Sequence, residues 1–234
     1  MRASPPLTPS VLAALDLFTG LTAAALTDVG ARARLRHIPK DTRIFAQGDA
    51  IGRCHALIDG SVRISQTAGE GAEVVMRFIG AREMFGSVAL FTDGRAPAEA
   101  VALTDCVEIS WSKADLIDLI ALYPGIGLNL VKIIGARLGE AQDRVRELST
   151  QRVGRRLANA LLRLAGEDGR SAGEARIEFP LTRKDVAELA GTTLHTASRI
   201  LSAWEKAGLV SSDRQRVTIL RPSGIKRIAD DIGD

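Results

Sequence analysis

Two changes of hydrophobic period constrain this chain more than any single motif. From about Ile38 to Trp111, short runs alternate apolar and polar residues: TRIFAQ, CHALIDG, SVRISQ, EVVMRFIG and AVALTDCVEIS. Alternation sends successive side chains to opposite faces, as a strand with one buried face requires. Gly48, Gly52, Gly60, Gly69, Gly71, Gly80, Gly86 and Gly94 punctuate these runs. Strands broken by turn signals this often predict a compact antiparallel barrel or jelly roll. After Trp111 the period becomes helical. Ser112 is the expected N-cap of SKADLIDLIALYP, and Pro124 ends that segment. Then Leu130, Ile134, Leu138, Ala141, Val145 and Leu148 recur at steps of three and four. A seam near 3.5 residues suits a partner helix. A helix of ~24 residues spans ~36 Å, more than a small barrel needs for its own cover. The expectation is a dimerisation helix; the alternative is an amphipathic helix lying on its own barrel.

Before the barrel, Leu12, Leu15, Phe18, Leu21, Ala25, Leu26 and Val29 predict two short helices, with Thr22 and Thr27 at caps or turns. Behind the seam, Val153, Leu157, Ala160, Leu161 and Leu164 predict a helix stopped by Gly166 to Gly169, followed by a strand at IEFPL. Leu181 to Val210 then reads as two helices joined at Gly191, with Thr182 capping the first. LVSSDRQRVTIL resembles two strands around a polar turn, and PSGIKRIADDI a closing helix with Pro222 at its start. The predicted fold is α+β: an N-terminal antiparallel β-barrel of jelly-roll type over residues 1–124, a long dimerisation helix over 125–149, and a winged helix-turn-helix over 150–234.

The second helix of the pair has Leu194, Ala197, Ile200, Leu201 and Trp204 along one face. His195, Thr196, Ser198 and Arg199 are left near the opposite face. A short polar face after a tight turn suits the DNA major groove. Arg199 is the expected base reader, since its planar fork matches O6 and N7 of guanine. The alternative for Arg199 is a phosphate contact or a salt bridge to Glu205 or Asp185. Ser198 suits a thymine edge or a phosphate, and His195 a purine edge or plain solvent. Thr192, Thr193 and Thr196 suit capping and phosphate contact, and Arg183, Lys184, Arg214 and Arg216 phosphate neutralisation. Charge distribution agrees with this placement. The chain carries 31 Lys+Arg and 28 Asp+Glu, a net +3. Residues 150–234 hold 15 of these cations and 11 of these anions, so the positive excess lies with the helix pair.

Catalytic and metal readings find little support. His37, His55 and His195 are widely separated, and no HExxH, GxSxG, phosphate-loop or dinucleotide-binding pattern is present. Cys54 and Cys106, without CxxC spacing, read as small core or strand residues rather than a disulfide scaffold or a metal site. No signal peptide or apolar span of ~20 residues is seen, so the expected compartment is the cytoplasm, with no membrane partner.

FAQGD before the barrel, HALIDGSVRI within it, FGSVALF, the long helix and TLHTASRIL together resemble the CRP/FNR family of bacterial transcription regulators, over residues 18–230. The resemblance implies a cyclic-nucleotide-binding-like sensor barrel and a homodimer. It also implies an effector-controlled grip on a near-palindromic operator in double-stranded DNA, and contact with RNA polymerase. It places the effector pocket at Phe78, Phe85, Gly86, Ser87, Val88, Ala96 and Pro97. Departures matter. His195 stands where many members carry a Glu, so the half-site is expected to differ at that base. Ser87 and the Ala96–Pro97 pair replace the residues that hold a cyclic phosphate, which argues against cyclic AMP. Two cysteines cannot ligate an iron–sulfur cluster. The remaining resemblance is to the nitric-oxide and nitrogen-oxide regulators, some of which hold haem; His37 or His55 is then the candidate iron ligand. A different small ligand, or none, is the alternative within the family. Outside it stand a sensor acting mainly through protein contacts and an enzyme on a cupin-like barrel.

Overall fold

The computed structural model describes residues 7–67, 69, 73–166, 175–177, 179–213 and 216–230. Two compact units emerge, one built from residues 1–67 and 77–140, the other from residues 68–76 and 141–234.

The first unit is a roll of two four-stranded sheets. One runs β1 (Arg34–Ile38), β8 (Cys106–Ser112), β3 (Arg53–Asp59), β6 (Met84–Phe85); the other runs β2 (Arg43–Phe45), β7 (Glu99–Ala102), β4 (Val62–Thr67), β5 (Glu73–Ile79). Each buries apolar residues on its inner face: Ile38, Leu57 and Cys106 from one sheet meet Val62, Ile79, Ala100 and Ala102 from the other. The outer face of the first sheet, with Cys54, Ala56, Ile109 and Trp111, is covered by helices. These are α1 (Pro9–Ala13), a 3-10 turn at Asp16–Phe18, α2 (Ala23–Ala31), α3 (Ser87–Phe91), α4 (Lys113–Leu122) and the start of α5 (Pro124–Thr150). Trp111 anchors this layer: its indole N–H donates to the Val29 carbonyl at 2.9 Å, and its ring meets Phe18 edge-on. Burial pushes the Cys54 thiol up to about 12, so it is a packing residue and not a nucleophile.

Local chemistry explains the helix starts. Thr22 and Ser112 each accept a backbone N–H from the third residue on, at Ala25 and Asp115, and cap α2 and α4. Pro124 opens α5, where its missing N–H costs nothing. Four expectations about the first unit and its long helix are corrected. Thr27 lies inside α2, where its hydroxyl donates back to the Ala23 carbonyl. Strand structure begins at Arg34, ahead of the expected start near Ile38; Arg34–Ile38 pairs along β8. The run AVALTDCVEIS breaks into β7 and β8, which belong to opposite sheets. Thr104 marks the break and accepts the Ser61 N–H at 3.0 Å.

The fourth correction concerns the seam. Leu130 is only 6% exposed and joins Ile126 in the core of the first unit. The neighbouring Val131, 68% exposed, takes its place in the open apolar stripe on α5. It continues through Ile134, Leu138, Ala141, Val145 and Leu148, all exposed. These steps of three, four, three, four and three are a regular heptad pattern. No single helix among the described residues is long and apolar enough to cross a membrane.

The second unit holds the end of α5, then α6 (Val153–Leu164), β9 (Ala175–Arg176), α7 (Arg183–Leu189), α8 (Leu194–Lys206), β10 (Val210–Asp213), β11 (Arg216–Ile219) and α9 (Pro222–Ala229). β11 lies between β10 and β9, all antiparallel. The strand expected at IEFPL is two residues early: pairing involves Ala175 and Arg176, and Pro180 has no N–H to give a ladder. Leu157, Leu161, Leu181, Val186, Ala197, Leu201, Ile219 and Ile225 are buried within this unit.

Candidate nucleic-acid interface and sensor site

The helix pair is set by its caps. Thr182 accepts the Asp185 N–H at 3.1 Å, and the Asp185 carboxylate accepts the Thr182 N–H at 2.8 Å, a reciprocal box that starts α7. Thr193 accepts the Thr196 N–H at 3.2 Å and starts α8. Between them Gly191 holds φ +61, and a Cβ there would lie 2.4 Å from Leu148 Cδ2. Only glycine meets both conditions. Sequence reasoning missed the buttress beneath this turn. The Arg156 guanidinium donates to the carbonyls of Ala190, Gly191 and Gln151 at 2.8, 3.0 and 2.8 Å. These carbonyls lie outside any helix ladder, so the arginine fixes the angle at which α8 leaves the turn.

On α8, His195 and Arg199 are exposed and make no hydrogen bond or ion pair among the described residues. Ser198 and Thr196 are half-buried beside them. Arg199 therefore does not form the alternative salt bridge to Glu205 or Asp185. That partner belongs to Arg183, whose placement differs from expectation. Its fork is filled from within, by Glu205 at 2.9 Å, the Ser202 hydroxyl at 3.0 Å and the Ser212 hydroxyl at 3.1 Å. The group ties α7, α8 and β10 together instead of facing phosphate. Burial alone would raise the Glu205 carboxyl, but bonds from Ser212 and Arg183 outweigh it and hold it below its ordinary value. Lys184 is exposed, with only long contacts to Glu73 and Glu188 at 3.6 and 3.5 Å, which leave its ammonium available. Thr192 is half-buried in the turn and Arg216 is exposed on β11; Arg214 lies outside the described residues.

In the first unit, Gly86 follows β6 at φ +74 and caps α3. A Cβ there would come 2.9 Å from the His55 ring, so this glycine is also required by close approach. Ser87 is buried and its hydroxyl has no hydrogen-bond partner among the described residues. Phe78, Phe85 and Ala96 are buried, whereas Val88 and Pro97 are exposed. Arg95 is turned to the Gly48 carbonyl at 3.1 Å.

A polar cluster inside the roll was not anticipated. His55 on β3 and Glu108 on β8, 8% and 1% exposed, are hydrogen-bonded through His55 Nδ1. Arg36 on β1 pairs with the same carboxylate at 2.7 Å. Arg53 donates to the Ser110 hydroxyl and carbonyl at 3.0 and 2.9 Å. Burial pushes the Glu108 carboxyl up, but His55 and Arg36 outweigh this and bring it below the ordinary value. The His55 ring stacks on Phe85, 5.2 Å between centroids. The cavity it faces, about 220 Å3, is lined by three arginines and Glu108. That small, arginine-lined chamber does not fit a porphyrin, which needs a larger apolar slot. His37 and His195 are exposed. The surroundings of His55 therefore do not suit a haem. Among the described residues, no group of three or more His, Cys, Asp or Glu could hold a metal ion.

Comparison with known proteins places this geometry. The profile of the cyclic nucleotide-binding domain matches residues 35–123, and that of the Crp-like helix-turn-helix domain matches residues 155–228. The cyclic AMP receptor protein of Thermus thermophilus is 30% identical over 194 residues, covering 83% of this chain and 87% of that protein. The CRP-like cAMP-activated global transcriptional regulator of Mycobacterium tuberculosis is 27% identical over 210 residues, 89% of this chain and 94% of the relative. Among solved structures, the Thermus thermophilus catabolite activator protein is 28% identical with a TM-score of 0.54, covering 93% of this chain and all of that one. FixK2 of Bradyrhizobium japonicum shares the fold at a TM-score of 0.72 and 21% identity, over 85% of this chain and 96% of that one. A cyclic-nucleotide-type β-roll, a long helix and a Crp-like helix-turn-helix define a transcription regulator with a ligand-binding-type domain. The chain belongs to the CRP/FNR family of transcriptional regulators.

Proposed function

We propose that the protein works as a homodimer that binds a near-palindromic operator, with one α8 in each of two successive major grooves ~34 Å apart. The observation that carries this is the outward face of α8, where His195 and Arg199 are exposed and unpaired beside Ser198. Caps and the Arg183 and Arg156 anchors hold the helix in place. Arg199, Ser198 and His195 read base edges; Lys184, Thr192, Thr193, Thr196 and Arg216 contact the backbone. The stripe from Val131 to Leu148 is the dimer seam, since an exposed apolar heptad is stable only when covered.

The sensor takes a small effector at Gly86 and Ser87, where the orphaned Ser87 hydroxyl awaits a partner. Relatives are named for cyclic AMP, but this chain places Ala96 and Pro97 where the resemblance assigns the cationic clamp, and Arg95 is already bonded to Gly48. The effector is therefore a ligand of different chemistry. It acts by favouring one arrangement of the paired helices, and a coupling of ~1–3 kcal/mol changes DNA affinity ~5–150-fold.

Selection of binding sites from random duplexes tests the DNA reading. Arg199→Ala should lower the preference for the selected operator over random DNA by roughly 10–100-fold per half-site, with the dimer intact by sedimentation. A variant that recovers the same operator with unchanged preference removes the base-reading role.

A further inference from the structure

We propose that the cavity over His55 is a second binding site, separate from the pocket at Gly86 and Ser87, and that it takes a small organic carboxylate. None of the seven residues assigned to the effector pocket lines it. Strand register explains why it is polar. Arg34 and Arg36 on β1, Glu108 and Ser110 on β8, and Arg53 and His55 on β3 alternate onto one face of the sheet. Further along the same strands this face carries Ile38, Cys106 and Leu57, the closed apolar end of the roll. The other end is left open and charged.

Its charges do not balance from within. Three guanidiniums face one carboxylate, and that carboxylate is already held by both Arg36 and His55. Donors remain over. Arg34 has no hydrogen-bond partner among the described residues, and one terminal nitrogen each of Arg36 and Arg53 is unused. Arg53 is also fixed in direction by its two bonds to Ser110, so its free nitrogen is preorganised. His55, more than nine-tenths buried, presents Nε2 without a partner among the described residues while Nδ1 is engaged. Guanidinium forks match a carboxylate by shape as well as charge.

The remaining walls select among anions. Ile44, Phe45, Ala50 and Ile51 complete the cavity with apolar surface. Inorganic phosphate would leave that surface against polar oxygens. A carboxylate with a short hydrocarbon body covers it, and about 220 Å3 holds about seven waters' worth of volume, enough for an acid of a few carbons. The occupant would lie one side chain from the sensor turn, because the His55 ring also abuts Gly86.

The three histidines make the test direct. Side-chain NMR of the full-length protein is followed while butyrate, and separately inorganic phosphate, is added at constant ionic strength. Butyrate should shift the His55 signals saturably, with the exposed His37 and His195 unmoved. Arg53→Gln should weaken the response roughly 10–100-fold, as loss of a charged hydrogen-bond donor does. Arg34→Gln, which removes no internal bond, should weaken it in the same direction and guards against a folding defect in the first variant. Equal shifts at all three histidines, or no saturable shift, overturn the site. Saturation by phosphate but not butyrate overturns the carboxylate assignment.

Discussion

Glu108 shows how one side chain can decide the chemistry of an interior. It is almost wholly buried, yet remains charged because Arg36 and His55 both reach it. Its carboxyl sits below the ordinary value in the folded state. The charged form is therefore favoured by folding. That stabilisation is full above the ordinary carboxylate range and is lost as pH falls through it and through the lowered folded value. Glu108→Gln should cost on the order of 1–3 kcal/mol near neutrality, because it removes the charged partner of Arg36 and a buried hydrogen-bond partner of His55. The difference from wild type should shrink as the solution is acidified, and urea unfolding across that range measures it. A gap independent of pH would mean that the residue acts by shape alone. None of this was legible in the sequence. Glu108 and its partners are separated by 53 and 72 positions, and only strand register brings them together. Arg183 was misplaced for the same reason, since nothing local announces Glu205 22 residues away. His195 and Arg199, by contrast, could be placed on the outer face of their helix, because a helix carries its own ruler.

At the level of elements, what the sequence predicted well was whatever depends on neighbours within four residues. Thr182 and Ser112 cap the helices at which they were expected, and of the threonines offered for α8 it is Thr193 that caps it, because a side chain reaching its own backbone needs no tertiary context. The roll and the wing followed from the alternation of apolar and polar residues. β1 did not, because its exposed arginines hide the alternation. The expected stripe on α5 takes in Leu130, which lies in the core, where Val131 lies in the open. Leu130 and Val131 are adjacent and both apolar, and only the core shows which of them turns inward. The turn at Gly191 allows a sharp test. Gly191→Ala would force a β-carbon into a positive-φ site and against Leu148. The expected loss is ~1–3 kcal/mol of stability by urea unfolding, with Thr193 still capping α8. An unchanged unfolding midpoint would show that the turn relaxes freely.

For the whole molecule, the proposed dimer rests on a stripe that the single chain leaves open. Leu138 lies mid-stripe and is 58% exposed. Leu138→Lys would set two ammonium groups against each other in the seam and weaken dimerisation roughly 100-fold or more. Sedimentation should then show monomer at concentrations where wild type is paired, and operator binding should fall with it. A variant that stays dimeric would place the interface elsewhere.

Leu148 is where these scales meet. It is the last apolar residue of the stripe, and its methyl group stands over Gly191 at the turn before α8. In the proposed dimer one side chain thus serves two masters, the sister subunit on one flank and the turn before the proposed reading helix on the other. A genetic screen would then mislead in an informative way, scoring a lesion at the turn as a fault of assembly and a lesion in the seam as a fault of DNA recognition.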